Sequence, residues 1–284
     1  MGVKANLFVI GAMKSGSTTL HDCLAKHPDI HMTEEKEPGY FVPELWDGRA
    51  EQEYAELLAP GENKKYVGES STHYTKLPTY SGVPEKMHAY NPSAKILYVM
   101  RQPIARLISH YYHNVRDLYM HGESRSIQKA IQRDPAYIAY SDYAYQLRPY
   151  YELFGEDKIY ILTFEDLVSD QNKVMSEIFA WLGVDADCEL TEQVDSNKAP
   201  KTYRKVRGLG LLNKFRHSRV WDGVSAIVPK SIRRMGVRLA ETQSNEKLTQ
   251  EEIDDVYKLL TPVFQEKVAE LHRLTGKDFS TWNL

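Results

Sequence analysis

The chain has little of several things that would settle its class at once. Only two cysteines, Cys23 and Cys188, occur in 284 residues, far apart and with no C-x-x-C pairing. A disulfide framework and a thiolate metal site are therefore not expected. Net charge is small, at -3 with a pI near 6.4, so no global field pulls the protein toward nucleic acid, and any anion-binding surface must be local. No apolar run approaches a membrane span, and the opening MGVKANLFVI is too short in its apolar part for a secretory signal. Asn6 stands where a myristoylation motif after Gly2 needs Ser or Thr. Internal repeats and linkers rich in Pro, Gly or Ser are also missing, and the ten histidines show no metal-site spacing. A single domain over 1–284, cytoplasmic and without a catalytic metal, is the expectation.

What is present is alternation. Four runs rich in β-branched or aromatic residues, LFVI (7–10), KYVG (65–68), KILYVM (95–100) and KIYILTF (158–164), have the continuous character of strands buried on both faces. Helical patterns lie between them, at Thr18 to Lys26, 104–115, 142–154 and from 172 to a glycine stop at Gly183. This order predicts an α/β three-layer fold of P-loop type, with a central parallel sheet and a helical or loop cap. Ligands in such sheets bind beyond the carboxyl ends of the strands, which places Gly11, Ser70 and Arg101 along one edge. The segment 191–246 differs: it begins loop-rich and then, from Arg204 to Arg238, holds ten Lys or Arg against one acid, Asp222. It is the expected cap or lid.

The stretch FVIGAMKSGSTTL (8–20) is a strand, a glycine-bounded turn and a helix start. In a Walker A loop, lysine follows the last glycine and reaches the terminal phosphates of a magnesium nucleotide. Here Ser17 takes that position and Lys14 lies inside the loop. Ser15, Gly16, Ser17, Thr18 and Thr19 still offer amides and hydroxyls at a helix N-terminus, where an anion is favoured. A mid-loop lysine can lean over the bond between a phosphate and a second anionic group and neutralise charge on the phosphate oxygen as it leaves. This argues for a transferase and against a nucleotide kinase, which would need lysine at position 17 and an acidic magnesium ligand.

With Lys14, Gly16, Ser17, Thr18 and Thr19, the loop resembles the 5′-phosphosulfate loop of sulfotransferases that use 3′-phosphoadenosine-5′-phosphosulfate (PAPS). The stretch RQPIARLIS (101–109) resembles the family's 3′-phosphate motif, with Arg101, Arg106 and Ser109 in place. FEDL (164–167), WLGV and the C-terminal LTGKDFSTWNL also look like bacterial sulfotransferase sequence. The NKAPKTYR loop (197–204) resembles the basic loop that closes over the 3′-phosphate, which implies roles for Lys201 and Thr202. The resemblance implies PAPS as donor, adenosine 3′,5′-bisphosphate as product and sulfuryl transfer to an acceptor hydroxyl.

For the base, EPGYF (37–41) resembles the loop of heparan-type carbohydrate sulfotransferases that carries a glutamate before an aromatic pair, which selects Glu37, with Glu34 and Glu35 close by. His73, in GESSTHYT, is the rival, because cytosolic sulfotransferases use histidine. Those carbohydrate enzymes have Glu-Lys where this chain has Glu69 and Ser70; Lys36 is a substitute for the missing cation. The resemblance points to a saccharide or glycolipid acceptor. The 204–238 segment would hold an anionic saccharide or touch a membrane surface through Leu211, Leu212, Phe215, Val220 and Trp221. A small-molecule or polyketide alcohol, and a non-catalytic nucleotide-binding module, are the alternatives.

Overall fold

In a computed structural model, the described residues are 2–116, 123, 125–188, 204–206, 241–243 and 247–284. Five parallel strands form the central sheet: β1 (Leu7–Gly11), β2 (Ile30–Met32), β3 (Tyr66–Ser70), β4 (Lys95–Met100) and β5 (Ile159–Thr163), in the order β2-β3-β1-β4-β5. The four expected strands are all there. β2 is an addition: three residues are too short to show as a periodic pattern.

β1 is buried along its whole length, and its alternate side chains serve opposite faces. Leu7 and Val9 pack with Leu97 and Val99 against Leu20 and Leu24 of helix α1 (Ser17–Ala25). Phe8 and Ile10 join Ile96, Tyr98 and Met100 on the other face. Between β2 and β3 lie α2 (Pro43–Trp46) and α3 (Glu51–Leu58), between β3 and β4 lies α4 (Val83–Tyr90), and α5 (Pro103–Arg116) follows β4. The chain then runs through α6 (Ile127–Arg133), α7 (Ala136–Ala139) and α8 (Tyr143–Phe154) to β5. After β5 come α9 (Phe164–Ser169) and α10 (Gln171–Leu182). Gly183 ends α10 at φ 66°, a backbone geometry that favours glycine. α8 contributes Leu147 and Tyr150 to the Phe8 face, and α10 contributes Ile178 and Phe179 to the Leu7 face.

The longest helix among the described residues, α11 (Gln250–Thr275), was not anticipated. Its start is nevertheless written in LTQEE: Thr249 Oγ1 accepts from the Glu252 amide at 3.2 Å, and Glu252 Oε2 accepts from the Thr249 amide at 2.8 Å. Val256, Leu260 and Phe264 of α11 bury a third cluster with Ile104 and Leu107 of α5.

The expected cap is described only at two strands, β6 (Arg204–Val206) and β7 (Glu241–Gln243), which pair antiparallel, with β6 beside α5. The remainder of 191–246, including Lys201, Thr202 and Leu211 through Trp221, lies outside the described residues. Among the described residues, no helix is long and apolar enough to cross a membrane.

Candidate functional site

β1 ends at Gly11, and the loop to Gly16 turns the chain into α1. Gly16 caps the helix at φ 92° and has no side chain to take the first amides, and among the described residues no cap side chain is bonded to them, which suits an anion there. A Cβ at position 16 would stand 2.7 Å from the Phe164 ring, and one at Gly11 would stand 2.2 Å from Thr75 Oγ1. Both glycines are thus required by close approach. The loop is held by the Ala12 amide on Val99 O (2.6 Å) and the Ser15 amide on Ala12 O (3.2 Å). Ser15 and Ser17 are buried, while Lys14, Thr18 and Thr19 are half-buried.

Lys36 comes to this loop from the segment after β2 and donates to Thr18 Oγ1. Burial holds its ammonium below the usual lysine range, and the charge of Lys14 acts in the same direction, opposed by Glu37 and Asp22. Two lysines therefore share the approach to the helix N-terminus. Ser70, at the position where carbohydrate enzymes have lysine, instead pairs its hydroxyl with His21 Nδ1 at 2.7 Å. Burial and the neighbouring Lys36 push His21 down to about 4, which keeps it neutral.

On the other side of β1, Arg101 follows the last residue of β4. The Tyr143 hydroxyl fixes its main chain, donating to Arg101 O at 2.6 Å and accepting from Arg101 N at 3.3 Å. Its guanidinium lies 4.9 Å from the centre of the Phe164 ring. The same ring touches Gly16, so one aromatic side chain underlies both the loop and the arginine. Ser109 is half-buried on α5, about two turns along. Arg106 is different from its motif partners. It is fully buried, with Nε on Ser141 Oγ at 2.5 Å and Nη2 on Tyr137 O at 2.9 Å, and it ties α5 to the α7–α8 connection instead of facing the ligand edge.

The two candidate bases are brought together across 36 residues of sequence. Glu37 has φ 60°, and its amide donates to Ser70 O at 2.9 Å. Its Oε2 accepts from the Thr72 amide (2.7 Å) and Thr72 Oγ1 (3.0 Å), at the start of the short 3₁₀ turn Thr72–Thr75. His73 Nε2 is 3.8 Å from that same oxygen, and His73 Nδ1 is 3.0 Å from Lys76 Nζ. Thr75 Oγ1 donates to Ile10 O at 2.7 Å, which fastens the turn to the base of the phosphate loop. Glu35 is engaged elsewhere, in a two-point pair with Arg49 at 2.7 and 3.1 Å, and Glu34 is exposed. Among the three glutamates, only Glu37 is bonded to this turn.

Beneath the turn lies Glu69, fully buried, accepting from Tyr54 (3.0 Å), Tyr74 (2.6 Å) and Ser71 (2.9 Å). Burial raises its carboxyl to about 7, against those hydrogen bonds. Ser71 Oγ also accepts from the Gly39 amide at 3.0 Å, so Glu69 anchors the glutamate loop from below. Tyr40 stacks on Tyr54 at 3.8 Å, and Phe41 is buried against Phe8. The aromatic pair after Glu37 is thus the loop's attachment to the core.

Phe164, Thr72 and Lys76 were not anticipated as parts of the site, and Glu69, noted only as the glutamate of the GESSTHYT motif, was not anticipated as the buried anchor of the turn. The i, i+3 spacing of His73 and Lys76 is the local signal that could have exposed Lys76.

A parallel α/β sheet with a glycine-bounded loop after its central strand, and an arginine after the neighbouring strand, is a P-loop-like arrangement, in which ligands bind beyond the carboxyl ends of the strands. The sulfotransferase domain model matches residues 4–237, and the chain belongs to that family. It is 31% identical over 116 residues to the membrane-associated sulfotransferase kil1 of Dictyostelium discoideum, which covers 39% of this chain and 23% of that protein. It is 23% identical over 278 residues to carbohydrate sulfotransferase 15 of Mus musculus, which covers 72% of this chain and 48% of that protein. The chain therefore spans less than half the length of these curated relatives. A sulfotransferase from Alicyclobacillus acidocaldarius has the same fold, with a TM-score of 0.70 at 23% identity, covering 99% of this chain and 100% of that one. The sulfotransferase domain of the curacin biosynthetic pathway aligns with a TM-score of 0.52 at 16% identity over 92% of this chain and 99% of that one.

Proposed function

We propose that the protein transfers a sulfuryl group from PAPS to an acceptor hydroxyl on a saccharide or glycolipid, with Glu37 as the base. The observation that carries this reading is the bond from Lys36 to Thr18 in the first turn of α1, in the loop that also carries Lys14, with Glu37 bonded to Thr72 nearby. A cradle closed to any Cβ at Gly16, with the Lys36 ammonium on Thr18 and Lys14 in the same loop, suits a doubly anionic phosphosulfate.

PAPS supplies an electrophilic sulfur bonded to a phosphate leaving group. In this reading Ser15, Gly16, Ser17, Thr18 and Thr19 hold the 5′-phosphate. Lys14 neutralises charge as it builds on the departing oxygen, and Lys36 adds a second cation near the Thr18 hydroxyl. Arg101 and Ser109 clamp the 3′-phosphate as a guanidinium and hydroxyl pair, with Lys201 and Thr202 proposed to close over it. Glu37 accepts the proton of the acceptor hydroxyl, and its two hydrogen bonds from Thr72 fix the direction in which the free carboxylate oxygen points. His73 orients the acceptor. The saccharide class is supported by the way the EPGYF loop is built, and by carbohydrate sulfotransferase 15 among the relatives. The cationic 204–238 segment suits an acceptor that is itself anionic.

Incubation with ³⁵S-labelled PAPS and a panel of neutral and anionic saccharides tests this, together with titration by adenosine 3′,5′-bisphosphate. Label transfer to a saccharide hydroxyl is the expected result. Tight binding of the bisphosphate with no transfer to any alcohol or amine would make the chain a nucleotide-binding module, and transfer only to small alcohols would overturn the acceptor class.

A further inference from the structure

Lys76 ends the 3₁₀ turn, half-buried, with its ammonium 3.0 Å from His73 Nδ1. The other ring nitrogen, Nε2, points the opposite way and lies 3.8 Å from Glu37 Oε2. The Tyr80 ring meets the imidazole edge-on at 5.8 Å. An ammonium has three N–H donors and no lone pair, so it can approach Nδ1 in this way only if Nδ1 accepts. In a neutral imidazole one nitrogen accepts and the other bears the proton. With Nδ1 committed to Lys76, the proton stands on Nε2, on the Glu37 side.

We propose that Lys76 is a positioning residue that fixes His73 as the Nε2–H tautomer, which makes His73 a hydrogen-bond donor beside Glu37 and leaves Glu37 as the only base. The inference rests on the sulfuryl-transfer reading for its catalytic meaning and deepens it by deciding between the two candidate bases. Both ring nitrogens are accounted for: one lone pair is engaged by the lysine, and the other nitrogen already holds its hydrogen. An acceptor oxygen placed beside Nε2 and the carboxylate oxygen that Thr72 leaves free would take a hydrogen bond from the histidine and give its own proton to Glu37. Two further facts agree. Burial, and the charge on Lys76, push His73 down to about 4, so the ring is neutral where the enzyme would work. Burial lowers Lys76 to about 8, with Arg106 acting the same way and Glu37 opposing, which leaves it mostly protonated and donating at neutral pH.

The test is direct observation of the tautomer by long-range ¹H–¹⁵N correlation on protein labelled at histidine, without ligand, at pH 7. His73 is assigned by the signal missing from the folded His73→Gln variant. The expected spectrum has a bare Nδ1 and a protonated Nε2. A protonated Nδ1 with a bare Nε2, or an imidazolium, in the wild-type protein overturns the proposal before any variant at position 76 is made. Lys76→Met should let the Nδ1–H form appear, while Lys76→Arg, which keeps a cationic donor, should hold the original form. Unchanged tautomer populations in a folded Lys76→Met protein would also overturn it. In transfer assays, Lys76→Met should lower turnover about 10-fold with affinity for adenosine 3′,5′-bisphosphate unchanged, and Lys76→Arg should recover part of the loss. Full turnover in a variant whose tautomer has shifted would show that the tautomer has no catalytic weight. Because the spectrum is taken on the free protein, absence of sulfuryl transfer would remove the proposed activity and leave the tautomer assignment to be judged separately.

Discussion

On the donor side of the site, the proposed ligand groups in residues 11–19 and 101–109 lie within nine residues of a strand's carboxyl end, and main-chain geometry does most of the aiming, with the Phe164 ring beneath both stretches. On the acceptor side, Glu37, His73 and Lys76 are aimed by other side chains: Thr72 on Glu37, Lys76 on His73, and the buried Glu69 through Ser71 on the loop itself. A half built mainly on backbone changes little when one ligand side chain is replaced, beyond the contact removed; the exception is Phe164, which supports both stretches. A half built from side chains passes the disturbance along. The two halves should therefore respond to substitution in different ways.

The largest expected effect is on the acceptor side. Glu37→Gln keeps the shape and removes the proton acceptor, and should lower turnover about 10²–10⁴-fold while affinity for adenosine 3′,5′-bisphosphate stays unchanged. Turnover under saturating PAPS is the measurement, and His73→Ala should be milder in the same assay. If the histidine variant lost turnover and the glutamine variant kept it, the division of roles would be reversed. Next, Lys14→Ala should reduce turnover about 10²–10³-fold with the fold intact by circular dichroism. Near-normal turnover would detach this loop from the reacting centre.

The support under the acceptor loop is probed by pH. Glu69 titrates near 7 in the folded protein, above the ordinary value of 4.5. A raised carboxyl contributes stability below pH 4.5 that is lost as pH rises through 7. Relative to Glu69→Gln, which cannot ionise, the wild-type protein should lose up to about 3 kcal/mol across that window, read from urea unfolding at several pH values. A constant difference would mean that Glu69 stays charged throughout. The smallest effect is on the donor side. Arg101→Ala should cost about 10–100-fold in affinity for adenosine 3′,5′-bisphosphate and leave affinity for AMP nearly unchanged, because only the 3′-phosphate contact is lost. Equal losses for both nucleotides would place Arg101 elsewhere.

The same contrast explains what could be read in advance. The strands β1, β3, β4 and β5 and the loop from Gly11 to Thr19 were legible because each is a contiguous pattern with one physical cause: continuous burial, or a glycine pair before a helix. Glu37 and His73 were both identifiable as candidates, but their 3.8 Å approach depends on a left-handed backbone at Glu37 and a bond from Thr72, neither of which leaves a periodic trace. Arg106 fitted the motif around Arg101, yet a spacing cannot say whether a side chain faces inward. Lys36 came from neighbourhood in sequence alone, and the bond to Thr18 gives it a place at the loop.

Phe164 has a consequence for how this chain can vary. Its ring fills the space where a side chain at position 16 would go, and the same ring lies under the Arg101 guanidinium. A change at Gly16 that added even a methyl group would need the ring to withdraw, as well as tolerance of φ 92°, and withdrawal would strip the arginine of its platform. Three positions spread over about 150 residues of chain are thereby bound into one unit of inheritance. None of them can drift alone, and a graft of the phosphate loop into another scaffold would have to bring along an aromatic residue from the far end of a strand two places away in the sheet.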